Sequence, residues 1–109
     1  MTNFVIRTAL ACAVLATMGS AQAADREAGR AKAQLCAACH GPLGLATIAN
    51  TPNLAGQPDV YLSEQLKAYR SGRRTHDIMT LIAKPLTDDE IANLVAWYSS
   101  LQVEVKERP

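Results

Sequence analysis

Apolar positions near the end of the chain recur at helical spacing. Ile91, Leu94, Val95, Tyr98 and Leu101 form one stripe behind Thr87-Asp-Asp-Glu90, where a Thr and a Glu three apart have the capping-box form. A helix capped by Thr87 is predicted there. Upstream, Tyr61, Leu62, Leu66 and Tyr69 share a second helical face, with Pro58 suited to its start and Gly72 to its end. A third helix is predicted over Asp25 to Cys39. That stretch is rich in Ala and free of Pro, and Asp25 and Glu27 lie where a helix N-terminus favours negative charge. Gly29 within it lowers helix stability and marks a close helix contact. Asp77 to Lys84 is predicted as a short helical turn before Pro85. Between these elements Gly41, Pro42, Gly44, Pro52, Gly56 and Pro58 preclude a regular element, and composition does not decide whether the loop is ordered. No stretch alternates with period two, so the predicted fold class is all-α.

The first stretch reads differently. Arg7 supplies a positive start, Thr8 to Met18 a short apolar run, and Ala21-Gln22-Ala23 the small-x-small pattern of a cleavage site. Residues 1–23 are therefore expected to be a secretory signal and residues 24–109 a single domain. The apolar run is shorter than the roughly 20 residues that span a bilayer, so no permanent membrane anchor is expected. Cys12 reads as an ordinary apolar position in that run. Of 109 residues, 11 basic, 10 acidic, three Cys, three Met and five aromatic, cleavage leaves 86 with 10 basic, 10 acidic, two Cys, one Met and four aromatics. Zero net charge argues against a nucleic-acid partner. A core this small calls for an additional staple.

The staple is sought at Cys36-Ala-Ala-Cys39-His40, an instance of C-x-x-C-H. Two thiols three positions apart can add across the two vinyl groups of one haem, and the next residue then presents its imidazole to the iron. Three other readings compete. A disulfide in an oxidising compartment would leave His40 unexplained. A thioredoxin-like pair would need a βαβ context. Zinc would draw on Cys36, Cys39, His40 and His76, two of them adjacent in sequence. Covalent haem accounts for all three residues of the motif. For the sixth iron ligand, Met79 is the one thioether left after cleavage, 39 residues beyond His40. A thioether–imidazole pair favours ferrous iron and suits reversible electron transfer. Met79 as a plain core residue and His76 as a rival ligand stand beside it; His76 sits in the polar run Arg73-Arg74-Thr75-His76-Asp77.

These residues carry a resemblance. Residues 25 to 101 resemble a class I cytochrome c, in particular one half of the bacterial dihaem cytochromes or the short monohaem periplasmic cytochromes related to them. The matching stretches are Cys36-Ala-Ala-Cys-His-Gly41, Pro52-Asn-Leu-Ala-Gly-Gln57, Tyr61-Leu-x-x-Gln65-Leu66, Arg70-Ser-Gly-Arg73, Met79 and Leu94-Val-Ala-Trp-Tyr98. The resemblance implies a cytochrome c fold: three main helices plus a short one around a covalently attached haem c. It implies that Cys36 and Cys39 form thioethers, with His40 as proximal and Met79 as distal iron ligand. Pro52 would offer its carbonyl to the far nitrogen of His40, unless it is simply a turn proline. Gly29 would pack against Trp97 or Tyr98 of the last helix. The sequence departs from the dihaem pattern in holding a single C-x-x-C-H.

The function expected is a periplasmic one-electron carrier with His/Met-ligated iron, not an enzyme. Its partners would be transient: a dehydrogenase, a cytochrome complex or a terminal oxidase, met at the exposed haem edge. The alternative is a haem-bearing subunit fixed in a periplasmic dehydrogenase or oxidase complex. A gas sensor or peroxidase would need an open iron position, against which Met79 argues. Arg70, Arg73 and Arg74 are either steering charges for an acidic partner or a solvated charge run.

Overall fold

The computed structural model describes residues 22–107. The predicted secretory signal therefore lies outside the described residues except for Gln22 and Ala23. Among the described residues there are five helices and no strand: α1 (Arg26–Lys32), α2 (Gln34–His40), α3 (Asp59–Ser71), α4 (Asp77–Ala83) and α5 (Asp88–Ser99). The all-α expectation holds.

Where one helix was expected over Asp25 to Cys39, two segments meet at Ala33. Its ψ of −13° departs from the α-helical value, and Cys36 N–H reaches back only three residues to the Ala33 carbonyl (2.9 Å). The helical path thus tightens by one turn just before the cysteine motif. Asp25 caps α1, its carboxylate accepting from the N–H groups of Glu27 and Ala28 at 2.9 and 3.0 Å. The capping box of α5 forms as its sequence predicts, with Thr87 Oγ1 accepting from Glu90 N–H and Glu90 Oε2 from Thr87 N–H.

Helix α5 is the hub. Ile91, Leu94, Val95, Trp97 and Tyr98 are buried on it together with Ala33, Leu62, Ala83 and Leu86, and Leu54, Leu66, Tyr69 and Leu101 pack on this cluster. Helix α1 crosses α5 at Gly29. A Cβ built there would lie 1.9 Å from the Asn93 carbonyl oxygen and 3.1 Å from Leu94 N, so the two backbones nearly touch. The expected partners, Trp97 and Tyr98, lie further along the same helix. Trp97 is met instead by Arg30, whose guanidinium sits 5.5 Å from the centre of its ring. Polar ties frame the crossing: Asp25 N–H donates to Asn93 Oδ1 at 2.7 Å, and Lys32 pairs with Glu90 at 2.6 Å.

On α3, Leu62 is buried and Leu66 and Tyr69 are half-buried, but Tyr61 points to solvent. The loop over residues 41–58 is ordered by its own hydrogen bonds. The Gly44 carbonyl accepts from Leu54 and Ala55 at 2.7 and 3.1 Å, and Gly56 N–H donates to the Tyr98 carbonyl at 2.9 Å. Gly44 has φ +76°, and a Cβ there would meet the Tyr98 ring at 2.9 Å. The loop therefore lies directly on α5.

Candidate functional site

The cysteine motif occupies the last turn of α2. Cys36 is half-buried against the core and Cys39 is exposed. Burial pushes the Cys36 thiol above its ordinary pKa, opposed by the Tyr98 hydroxyl beside it. Burial likewise raises the Tyr98 phenol, whose oxygen has no nitrogen or oxygen partner.

His40 ends α2 and is buried, at 6% exposure. Gly41 follows with φ +83°, and a Cβ on it would strike the Leu45 carbonyl, so the chain can fold back over His40 only with glycine there. The returning loop brings the Pro52 carbonyl oxygen to 2.8 Å from His40 Nδ1. A carbonyl only accepts, so Nδ1 carries the proton and Nε2 keeps its lone pair. The imidazole is held in the tautomer that can ligate a metal through Nε2, by a partner that also raises its basicity.

Met79 lies in the first turn of α4 and is half-buried. Helix α4 packs on α3, α3 on α5 and α5 on α1, which leads into α2. His76, read from the sequence as a solvated residue of the polar run or as a rival ligand, is exposed and serves as the N-cap of α4. Its Nδ1 accepts from the N–H groups of Ile78 and Met79, both at 3.3 Å. That lone pair is occupied by the backbone. The cap role escaped the sequence reading, because histidine is not among the usual capping residues Ser, Thr, Asp and Asn.

Two of the three arginines also have internal work. Arg70 donates to the Leu86 carbonyl at 2.9 Å and to Asp88 at 2.6 Å, bracing α3 against the start of α5. Arg74 donates to Gln65 at 2.6 Å and lies 4.7 Å from the centre of the Tyr69 ring. Arg73 is exposed.

The donors are two thiols and an imidazole with an available Nε2 on α2, and a thioether on α4. Exposed apolar side chains lie close in sequence to both. Leu43, Leu45 and Ile48 follow His40, and Ile78, Leu81 and Ile82 flank Met79, all at least 40% exposed. Exposed apolar side chains concentrated at two such points fit a large flat apolar group that carries a metal. The zinc reading fails, because no group of three or more His, Cys, Asp or Glu gathers to hold a metal ion among the described residues. The thioredoxin reading lacks any strand there.

Comparison with known proteins agrees with this chemistry. Residues 26–102 match the family model described as Cytochrome c. Cytochrome c-554(548) of Halomonas halodenitrificans is 43% identical over 81 residues, covering 72% of this chain and 98% of that one. A protein named thiosulfate dehydrogenase electron acceptor, from Thiomonas intermedia, is 36% identical over 111 residues, covering 100% of this chain and 51% of the relative. Among solved structures, reduced recombinant cytochrome c4 from Pseudomonas stutzeri superposes with a TM-score of 0.70 at 36% identity, covering 76% of this chain and 48% of the other. The chain spans 41% and 46% of the length of two curated cytochromes c4 that it matches.

Proposed function

The chain belongs to the cytochrome c family of electron-transfer haem proteins, and on that premise we propose that it is an exported one-electron carrier of the periplasm with haem c held by Cys36, Cys39, His40 and Met79. The observation that carries this reading is the 2.8 Å hydrogen bond from His40 Nδ1 to the Pro52 carbonyl, which leaves Nε2 free one residue after the thiol pair.

Bound haem c supplies an iron that passes between ferric and ferrous states. The polypeptide does the rest. Cys36 and Cys39 bind the group as thioethers and prevent its loss after export. His40 presents Nε2, and Pro52 keeps the ring from rotating by holding the proton on Nδ1. Met79 would offer a thioether from α4, and an imidazole–thioether pair raises the potential of the iron it holds. Leu43, Leu45, Ile48, Ile78, Leu81 and Ile82, exposed in the protein alone, would supply apolar surface for the group.

In this proposal residues 1–23 are removed on export and residues 24–109 form the working domain. No described helix is long and apolar enough to cross a membrane. The role is electron carriage without substrate turnover, in brief encounters with redox proteins such as a dehydrogenase, a cytochrome complex or a terminal oxidase.

Optical spectra of protein exported with haem-attachment machinery present test the reading. Cys36→Ala or Cys39→Ala impairs covalent attachment. Met79→Ala keeps the haem but loses the ferric Met–sulfur charge-transfer band. An exported protein without a haem spectrum overturns the assignment of the site. The similarity to a thiosulfate dehydrogenase electron acceptor favours a second reading, a haem subunit fixed in a dehydrogenase complex. Stoichiometric copurification that survives moderate salt selects the complex; separation selects the free carrier.

A further inference from the structure

We propose that His76 is a positioning residue for Met79: its imidazole, as N-cap of α4, holds the backbone from which the thioether is presented. The inference rests on the reading of Met79 as the distal ligand.

Helix α4 has seven residues, too few to be stable as an isolated helix. Its one fully buried residue is Ala83, at the far end, while Met79 sits in the first turn. The first turn, where Met79 and Thr80 are half-buried, is held in part by its cap. Ile78 and Met79 carry two of the N-terminal N–H groups that a helix leaves without an internal partner, and His76 Nδ1 accepts from both at 3.3 Å. The tie is reciprocal: His76 N–H donates to Thr80 Oγ1 at 2.9 Å. Cap residue, Met79 amide and Thr80 hydroxyl thus form one closed ring of contacts. Because both backbone groups donate, Nδ1 carries a lone pair, the tautomer opposite to that of His40. One histidine keeps its Nε2 lone pair available to a metal, and the other uses its Nδ1 lone pair to cap the helix that carries Met79.

Losing the cap frees the Met79 main chain, and a loosely held thioether yields its place to competing ligands. The test uses haem-loaded protein, with exogenous imidazole as the competing probe and the ferric Met–sulfur band as the second readout. His76→Ala should bind imidazole about five-fold more tightly than the parent and show a weakened band. That ratio corresponds to the loss of about 1 kcal/mol, the usual worth of a cap. His76→Asn, which supplies a favoured cap side chain, should return within about two-fold of the parent. Thr80→Ala, which loosens the ring from its other side, should shift imidazole affinity in the same direction as His76→Ala. Met79→Ala defines full loss of the thioether. If Met79→Ala loses the band while His76→Ala and Thr80→Ala keep the parent's imidazole affinity, the positioning role is wrong and Met79 remains the ligand. If Met79→Ala keeps the band, Met79 is not the ligand and the inference falls with that reading.

Discussion

Replacing Gly29 by alanine sets two effects of opposite sign against each other. In an exposed helix interior the change would stabilise by about 1 kcal/mol, because alanine loses less backbone freedom than glycine. At this position the new Cβ would lie 1.9 Å from the Asn93 carbonyl oxygen and 2.5 Å from its carbon. Ordinary contact between such atoms is about 3.5 Å, so α1 and α5 must separate by roughly 1.5 Å. Both obstructing atoms are backbone, and no rotamer change relieves them. Moving α5 also disturbs Ile91, Leu94 and Trp97, all buried beside the crossing. Overpacking of this kind costs about 3 kcal/mol at the upper end of the usual range, which leaves a net loss of about 2 kcal/mol. For a domain of this size that lowers Tm by roughly 8–16 °C. Thermal unfolding of the haem-loaded protein, followed by far-ultraviolet circular dichroism, measures it. Ala31→Gly, at an exposed position on the same helix, isolates the propensity effect and should lose about 1 kcal/mol. A Gly29→Ala protein as stable as the parent, or more so, would refute the close backbone crossing.

Two other predictions concern polar ties around the same hub. Arg70 bonded to Asp88 and Lys32 bonded to Glu90 hold these carboxyls below the ordinary carboxylate range. Carboxyls depressed in the folded state add stability that is complete above the pKa of the unfolded chain and disappears as the pH falls through the folded pKa. Denaturant midpoints measured against pH should accordingly decline less steeply on the acid side in a protein carrying Arg70→Gln and Lys32→Gln together; an unchanged acid slope counts against these pairs. Asp25→Ala removes the acceptor for two N–H groups of α1 and should cost about 1 kcal/mol in urea unfolding, whereas Asp25→Asn should lose little of it.

Sequence and tertiary structure contributed different things to this protein. The C-x-x-C-H spacing is local covalent geometry, so Cys36, Cys39 and His40 were legible as a haem motif once the disulfide, thioredoxin-like and zinc readings had been weighed against their surroundings. The stripe of α5, its Thr87/Glu90 box and the breaks at Pro58 and Gly72 were equally legible, because helix period, caps and turn residues act within a few positions. Gly29 announced a close contact but not its partner. The backbone of Asn93 and Leu94 became that partner only when two distant helices crossed. His40 was visible, and the Pro52 carbonyl that fixes its tautomer was anticipated only through the family resemblance; the residues by themselves do not place an acceptor 12 positions away, at the end of a loop whose order composition left open. His76 shows the same limit from the other side: its chemistry allowed a ligand or a solvated side chain, and only the start of α4 at Asp77 turned its lone pair toward two backbone amides. Short-range physics chose the elements and the reactive residues, and long-range packing assigned each polar atom its partner, because a hydrogen bond depends on position in space rather than on distance along the chain.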